Sequence, residues 1–160
     1  MKKSEVTLSK ATLEDAADIH AMQLQAFLPL LEKYKDHETS PANETLERIV
    51  ERMNQDFIDY YIIYNAGIAA GSVRVKKKDK HEYWLGQICV LPQYQGLGIA
   101  QQAFALIEEV YADAQSWGLA TIMQEERNCY LYEKLGYKRT PETQVINDKL
   151  TLCFYEKTLN

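Results

Sequence analysis

The sequence predicts a mixed α/β (α+β) fold, with one sheet of about seven strands flanked by about four helices. Three observations predict it. The chain has 160 residues, the size of one domain, and residues 1–160 contain no linker, repeat or low-complexity segment. The composition, 46% hydrophobic and 26% charged, is that of an ordinary globular protein. The hydrophobic periodicity follows the order strand, two helices, three strands, helix, strand, helix, two strands, which indicates helices on both faces of a sheet.

The N-terminal third begins with a strand and a helix. Residues 6–10 alternate between apolar and polar side chains, which predicts the first strand. Thr12 and Asp15 have the spacing of a capping box that opens a helix, and Pro29 is expected to end that helix. Residues 30–39 are mixed and polar, which predicts a loop or a short irregular helix.

A second helix and a meander of strands come next. Ser40–Pro41 is typical of a helix start, with serine as the cap and proline in the first turn. β-Branched and aromatic residues then predict three strands, at residues 59–64, 68–78 and 81–90. Gly86 lies inside the last of these strands, which indicates a bulge or a close backbone approach.

The C-terminal part alternates between helices and strands. Apolar spacing predicts the longest helix over residues 99–117, ended by Gly118, and a short helix over residues 128–135, closed by Gly136. Strands are predicted at residues 119–123, 137–140 and 150–156, with a polar loop at 141–149. An exposed strand at 150–156 would offer an edge for pairing across a homodimer.

The charge balance argues against nucleic acid and membrane partners. The net charge is −5, and the one basic cluster, predicted to be a solvated turn, is Lys76, Lys77, Lys78 and Lys80. No apolar run approaches the roughly 20 residues of a membrane span, and residues 1–5 lack the apolar stretch of a signal peptide. We therefore expect a cytoplasmic protein.

The cysteines and histidines do not predict a metal site. Cys89, Cys129 and Cys153 are odd in number and far apart in sequence, unlike a disulfide framework or a zinc knuckle. The three histidines lack a metal-ligand spacing such as H-E-x-x-H. We expect neither a disulfide nor a bound metal.

The most informative segment joins a predicted strand to a predicted helix. Gly96 and Gly98 allow a tight turn and a close approach to a ligand, and the first amides of the helix after them are free donors. Together with the helix dipole these amides form an anion site suited to a phosphate or pyrophosphate. Ile99–Ala100 stands where a Walker A loop needs Lys and Ser or Thr, and the third glycine of a Rossmann loop is absent. A simple glycine turn leading into a helix remains the alternative.

Two motifs in this region resemble those of a known superfamily. Residues 93–98, Q-Y-Q-G-L-G, match the pattern Q/R-x-x-G-x-G/A and resemble the acetyl-CoA pyrophosphate loop of the GNAT superfamily of N-acetyltransferases. Residues 88–92 resemble the fourth strand of that superfamily and its Val-x-Pro exit, and residues 131–137, L-Y-E-K-L-G-Y, resemble its second signature. The order of the motifs and of the predicted elements also agrees. The resemblance implies a central mixed, mostly antiparallel sheet.

The resemblance also implies how acetyl-CoA would be bound. The backbone amides that would hold its pyrophosphate are those of Gln95, Gly96, Leu97, Gly98, Ile99 and Ala100. Ile88, Cys89 and Val90 would pair with the pantetheine arm like another strand, which requires the fourth strand to splay from its neighbour. The Val90 amide, or one beside it, would polarise the thioester carbonyl and stabilise the tetrahedral oxyanion.

Tyr132 matches the superfamily tyrosine that protonates the leaving thiolate, although a tyrosine on a short helix can also simply pack. The superfamily often has an asparagine seven residues earlier, where this chain has Glu125. Asn128 lies four residues before Tyr132, where it would either contact the pantetheine arm or only cap the helix. The amine must lose a proton before it attacks, and the sequence does not decide whether the base is Glu82, Glu125 or a water chain. Cys89 is expected to be a buried strand residue and not an acyl-carrying nucleophile.

The resemblance therefore predicts an acetyl-CoA-dependent N-acetyltransferase in which a primary amine attacks directly in a ternary complex. A non-catalytic CoA-binding module of the same fold, or an acyltransferase that uses another acyl-CoA, are the alternatives. Residues 32–59 contain eight acidic and four basic side chains, which would favour a cationic small-molecule or peptide amine, or would simply form a solvated helix face.

Overall fold

The computed structural model describes residues 5–159, and over this range it contains one seven-stranded sheet and four helices. Residues 1–4, on which the expectation about a signal peptide partly rests, lie outside the described range. The strands are β1 (Val6–Lys10), β2 (Ile58–Asn65), β3 (Ile68–Asp79), β4 (Glu82–Val90), β5 (Ser116–Ile122), β6 (Lys138–Val145) and β7 (Thr151–Thr158). The helices are α1 (Ala16–Tyr34), α2 (Leu46–Met53), α3 (Ile99–Val110) and α4 (Glu126–Lys134).

The predicted fold class and element order are confirmed. The strand order is β1-β2-β3-β4-β5-β7-β6, and in this sheet β4 and β5 are the parallel pair while the other neighbours are antiparallel. Side chains on the two faces of the sheet form two cores, because neighbouring strand residues point in opposite directions. Ile62 and Cys89 pack with α1 and α2, whereas Ile63 and Val73 pack with α3 and α4. No helix in residues 5–159 is both long and apolar enough to cross a membrane.

The first helix extends beyond the predicted proline stop. The capping box is present, with the Asp15 carboxylate accepting the Thr12 backbone N–H at 2.8 Å, but it caps the 3₁₀ turn Leu13–Asp15 that leads directly into α1. The prediction that Pro29 ends the helix is wrong, since α1 continues through Pro29 to Tyr34. An internal proline costs about 3 kcal/mol, but tertiary contacts hold the last turn. Tyr34 is buried, and its backbone carbonyl accepts the Asn147 side-chain N–H at 2.9 Å.

The second helix begins later than predicted. Ser40 accepts the Ala42 N–H at 3.2 Å, but the turn that it caps is a single 3₁₀ turn, Pro41–Asn43. The turn ends at Glu44, whose backbone is extended. A second cap follows, in which the Thr45 hydroxyl accepts the Arg48 N–H at 3.2 Å and opens α2.

The prediction of one long helix over residues 99–117 is wrong. The helix α3 ends at Val110, and α1 is longer with 19 residues. Trp117 lies in β5, where it is 1% exposed and stacks on Tyr83 with ring centroids 5.3 Å apart. Gly118 is likewise a strand residue and not a helix cap. Burial alternates along β5, so pairing in the sheet overrides the helical spacing of the apolar residues.

The C-terminal strands also differ from the prediction. The strand β6 continues to Val145 through most of the predicted loop, with a register shift between Arg139 and Thr143. The strand β7 lies between β5 and β6 and pairs with both. A homodimer that uses residues 150–156 as a free edge is therefore excluded, because the outer strands of this sheet are β1 and β6.

Candidate active site

A gap opens in the middle of the sheet between β4 and β5. The two strands pair only at their N-terminal ends, where the last pair is Trp84 with Gly118. Two residues later Gly86 is an extra residue in β4, since Arg74 pairs with Gln87 and the next residue of β3 pairs with Leu85. The bulge and the splay expected at this strand are thus present. Beyond the bulge, β4 pairs with β3 and β5 pairs with β7, so their C-terminal ends diverge.

The bulge is tightly packed against one arginine. The Arg74 guanidinium donates to the Gly86 carbonyl at 3.2 Å. A Cβ atom on Gly86 would lie 2.3 Å from Arg74 Nε. The Arg74 side chain therefore lies directly against the Gly86 backbone, and a side chain at residue 86 would require the guanidinium to move.

Backbone groups of β4 face the gap. The Leu91 N–H donates to the Ala70 carbonyl at 2.8 Å, which orients Leu91 toward β3. Since antiparallel strands alternate, Cys89 also faces β3, whereas the N–H and C=O groups of Ile88 and Val90 point away from it. No strand of residues 5–159 pairs with that edge beyond Trp84. The Val90 carbonyl accepts the Gln95 side-chain N–H at 2.9 Å, which connects the strand edge to the loop after it.

The side chain of Cys89 does not enter the gap. It is 3% exposed on the α1/α2 face, with its Sγ atom 3.3 Å from the Ser72 hydroxyl. Burial raises the pKa of the Cys89 thiol, and the contact with Ser72 only partly opposes this. A buried neutral thiol with a hydroxyl neighbour lacks the base that an acyl-cysteine mechanism needs.

The glycine loop leads from β4 into α3. Gly96 and Gly98 have φ angles of 80° and 77°, in the left-handed region that favours glycine. A Cβ atom at Gly96 would meet nothing within 4 Å. Glycine at this position therefore allows the left-handed backbone conformation and leaves the space beside the loop open. Buried Ile99 anchors the start of α3, while Gln95, Leu97 and half-buried Ala100 lie on the outside. The first turn of α3 contains no acidic residue, so its amides and dipole remain suited to an anion.

Tyr132 lies on α4 in an aromatic cluster. Its ring centroid is 5.7 Å from that of Phe104, 5.9 Å from that of Tyr155 and 6.4 Å from that of Tyr137. Burial raises the pKa of Tyr132 to about 12, although the neighbouring Thr121 side chain opposes the shift. Thr121 lies on β5 three residues beyond the last β4–β5 pair, so the hydroxyl of Tyr132 is on the β5 side of the gap.

A charged cluster forms where α1, β5 and α4 meet. The Glu125 carboxylate accepts hydrogen bonds from the Tyr34 hydroxyl and, at 3.0 Å, from Lys33 Nζ. Burial opposes ionisation of Glu125, but these two donors outweigh it and the pKa of Glu125 is lowered. Sequence reasoning missed this cluster, because its partners are more than 90 residues apart and no local pattern connects them.

The two remaining polar candidates, Asn128 and Glu82, lie outside this charged cluster. Asn128 is half-buried in the first turn of α4, and Glu125 holds the N-cap position, so Asn128 is not the helix cap. Glu82 is exposed at the start of β4, eight residues from Val90. That separation is about 26 Å along a strand, so the structure does not bring Glu82 to the open end of the gap.

The acidic side chains of residues 32–59 are only partly paired with cations. Glu44 pairs with Arg52 at 2.7 Å, and Glu51 pairs with Arg48 at 3.1 Å. Asp59 pairs with Lys10 at 3.3 Å. Arg48 and Arg52 belong to the same stretch, so these pairs leave most of its acidic excess in place. The described side chains contain no group of three His, Cys, Asp or Glu residues arranged to hold a metal.

Solved structures share this architecture. An acetyltransferase from Thermus thermophilus is 14% identical with a TM-score of 0.75, covering 99% of this chain and 100% of its own. An acetyl transferase from Salmonella typhimurium that modifies the N-terminal serine of the ribosomal protein L7/L12 is 15% identical with a TM-score of 0.77, covering 99% and 97%. The spermidine N-acetyltransferase from Vibrio cholerae, solved with CoA and spermine, is 15% identical with a TM-score of 0.75, covering 96% and 95%. At these identities the likeness establishes the fold.

The sequence comparisons identify the family. The comparison with curated proteins found no significant match. The model of the Acetyltransferase (GNAT) family matches residues 20–137, which include the glycine loop, the splayed strand and Tyr132. Because this match covers well over half of the chain, the protein belongs to the GNAT acetyltransferase family.

Proposed function

We propose that the protein is an acetyl-CoA-dependent N-acetyltransferase that acetylates a primary amine by direct attack in a ternary complex. One observation carries the proposal. The unpaired edge of β4 faces a gap that has the glycine loop at one end and the Tyr132 hydroxyl on its β5 side. The family match and the related structure solved with CoA support this choice of donor.

The residues around the gap fit acetyl-CoA. When bound, acetyl-CoA supplies the acetyl group as an activated thioester. The amides of residues 95–100 would bind its pyrophosphate at the positive end of α3, where the space beside Gly96 is open. The gap-facing groups of Ile88 and Val90 would pair with the amides of the pantetheine arm, as an added strand would. Asn128, half-buried on α4, remains the candidate for a further contact with this arm.

Two groups of the chain would serve the chemistry. The Val90 N–H would donate to the thioester oxygen as negative charge develops there. The Tyr132 hydroxyl would hold the proton that passes to the sulfur as the C–S bond breaks and the C–N bond forms. With its pKa raised to about 12, Tyr132 stays protonated at neutral pH, and the same apolar surroundings raise the proton affinity of a thiolate. Glu125, bound to Tyr34 and Lys33, and a water chain remain the candidates for amine deprotonation.

One observation favours a second candidate function. Tyr132 is 8% exposed and packs against Phe104, Tyr137 and Tyr155, which is also what a purely structural tyrosine would do. In that case the chain would bind CoA without turnover. A donor other than acetyl-CoA is a further alternative, and comparing acyl-CoA donors in the same assay separates it.

Tyr132→Phe tests the mechanism, and Tyr130→Phe is its matched control because Tyr130 lies on the same helix and is 70% exposed. We expect Tyr132→Phe to lower kcat by about 100-fold or more, which is the usual size of a general acid contribution. The thermal shift with acetyl-CoA should remain, and the loss of one buried hydrogen bond should cost only about 1 kcal/mol of stability.

Steady-state thiol release across an amine panel gives the rates, and thermal unfolding with acetyl-CoA reports binding separately. An unchanged kcat in Tyr132→Phe removes Tyr132 from the mechanism. Retained acetyl-CoA binding without turnover of any amine by the unmodified protein favours the binding module.

A further inference from the structure

A cavity separate from the gap lies beside the end at which β4 and β5 are paired. It has a volume of about 430 Å³ and lies between α2 and the strands β2, β3 and β4. This volume is in the range of small-molecule sites. Its lining combines four cationic side chains with two aromatic rings, namely Arg48, Arg52, Arg74, Lys76, Phe57 and Trp84.

The cavity has more positive than negative charge. Arg52 and Arg74 both pair with the single carboxylate of Glu44, at 2.7 Å and 3.9 Å. The three side chains are each 16% exposed, so solvent screens the unbalanced charge weakly. Arg48 is balanced by Glu51 at 3.1 Å. Lys76 adds a second excess charge, and its Nζ lies 5.8 Å from the centre of the Phe57 ring.

One nitrogen of the Arg74 guanidinium makes no hydrogen bond within residues 5–159. Its Nη2 donates to the Gly86 carbonyl, but Nη1 is 3.9 Å from Glu44, beyond hydrogen-bond distance. Nη1 is buried and has no hydrogen-bond partner among the described residues. A guanidinium of this kind favours carboxylate and phosphate oxygens, which match its planar donors.

The position of the cavity relates it to the gap. Trp84 is the last residue of β4 that pairs with β5, and Gly86 is the bulge where the splay begins. Both residues line the cavity. Val90 is four residues beyond Gly86, which is about 13 Å along a strand. A ligand with an oxyanion in the cavity thus needs about this length to place a second group beside Val90.

From this geometry we infer that the acceptor is an amine that also carries a carboxylate or phosphate. Its oxyanion binds Arg74 and Lys76, its apolar segment contacts Trp84 and Phe57, and its amine reaches the gap near Val90. This inference rests on the proposed N-acetyltransferase function. Polyamines are poor acceptors by the same argument, because their second ammonium group would meet the excess positive charge.

Lys76→Gln tests this inference, and Lys77→Gln is the matched control. Both lysines are exposed on β3, but neighbouring strand residues point to opposite faces, and only Lys76 lines the cavity. The probes are ω-aminocarboxylates and ω-aminoalkyl phosphates whose length spans about 13 Å, with diamines and uncharged ω-amino amides of equal length. We expect the oxyanion probes to have the lowest KM. Lys76→Gln should raise that KM by about fivefold and lower the KM for the diamine, whereas Lys77→Gln should change neither.

Binding is measured independently of turnover. Trp84 lines the cavity whereas Trp117 is 1% exposed, so fluorescence titration with the N-acetylated ω-aminocarboxylate reports occupancy without acetyl-CoA. The inference is overturned if amines are acetylated without preference for the oxyanion probes, or if Lys76→Gln and Lys77→Gln behave alike. Oxyanion binding that Lys76→Gln weakens, in a protein that acetylates no amine, would instead overturn the proposed function and leave the anion site standing.

Discussion

The glycine loop allows a test in which backbone strain and ligand binding are separated. Gly96 and Gly67 have φ angles of 80° and 79°, and a Cβ atom at either position would meet nothing within 4 Å. Gly67 lies in the turn between β2 and β3, on the opposite side of β4 from the gap. Gly96→Val and Gly67→Val therefore impose the same kind of strain, but only Gly96→Val places a side chain where the pyrophosphate is expected.

The magnitudes follow from the geometry. Because a Cβ atom would clash at neither position, each substitution costs mainly the left-handed conformation, about 1–2 kcal/mol. For a domain of this size that is a loss of about 2–8 °C in Tm. Acetyl-CoA at about 100 times its Kd stabilises the folded state by about 2.7 kcal/mol. The corresponding rise in Tm is about 5–10 °C.

The assay is thermal unfolding of the three proteins with and without saturating acetyl-CoA. Without ligand, the two variants should unfold at similar temperatures below the unmodified protein. With ligand, Gly67→Val should keep the full rise in Tm and Gly96→Val should lose most of it. Equal rises in the two variants would refute the assignment of this loop to the pyrophosphate. No rise in the unmodified protein at millimolar acetyl-CoA would refute the donor site itself.

Two further predictions concern stability. Glu125→Gln should cost about 1.5 kcal/mol at neutral pH, since Tyr34 and Lys33 bond to the carboxylate. Because the pKa of Glu125 is lowered on folding, this stabilisation is present above its ordinary pKa of 4.5 and is lost as the pH falls through the folded-state value. Urea unfolding at neutral and acidic pH should show the difference between the two proteins shrinking, and a difference independent of pH would contradict this. Trp117→Ala should cost about 3–5 kcal/mol, because it removes a buried ring that stacks on Tyr83. A change in Tm below about 3 °C would show that this packing is not important.

Local signals were sufficient for much of the fold and for the position of the glycine loop and the bulge before it. The glycine loop, the strand before it and the second signature are contiguous stretches, so their chemistry is readable without knowledge of distant contacts. Gly86 was readable as a bulge for the same reason, since a glycine inside a strand of apolar residues typically marks a bulge or a close backbone approach. The alternation in β1 and the capping box at Thr12 were also local, and both are present.

Predictions failed where a distant partner decided the local structure. Pro29 is a strong stop signal, yet α1 continues because Tyr34 is buried and bonded to Glu125. Trp117 fits a helical stripe, yet strand pairing with β4 and β7 and stacking on Tyr83 place it in β5. In both cases the free energy of tertiary packing exceeds the local preference.

The family, the order of the elements and the glycine loop can be recognised without a structure, because each depends on residues that are neighbours along the chain. The charges that meet are set by the fold. It pairs Glu44 with Arg52 of α2 and Arg74 of β3, and it places two arginines of an acidic stretch in the wall of a cationic cavity. It also joins Glu125 to the end of α1 across more than 90 residues. Electrostatic energy depends on distance and burial, and sequence separation carries neither.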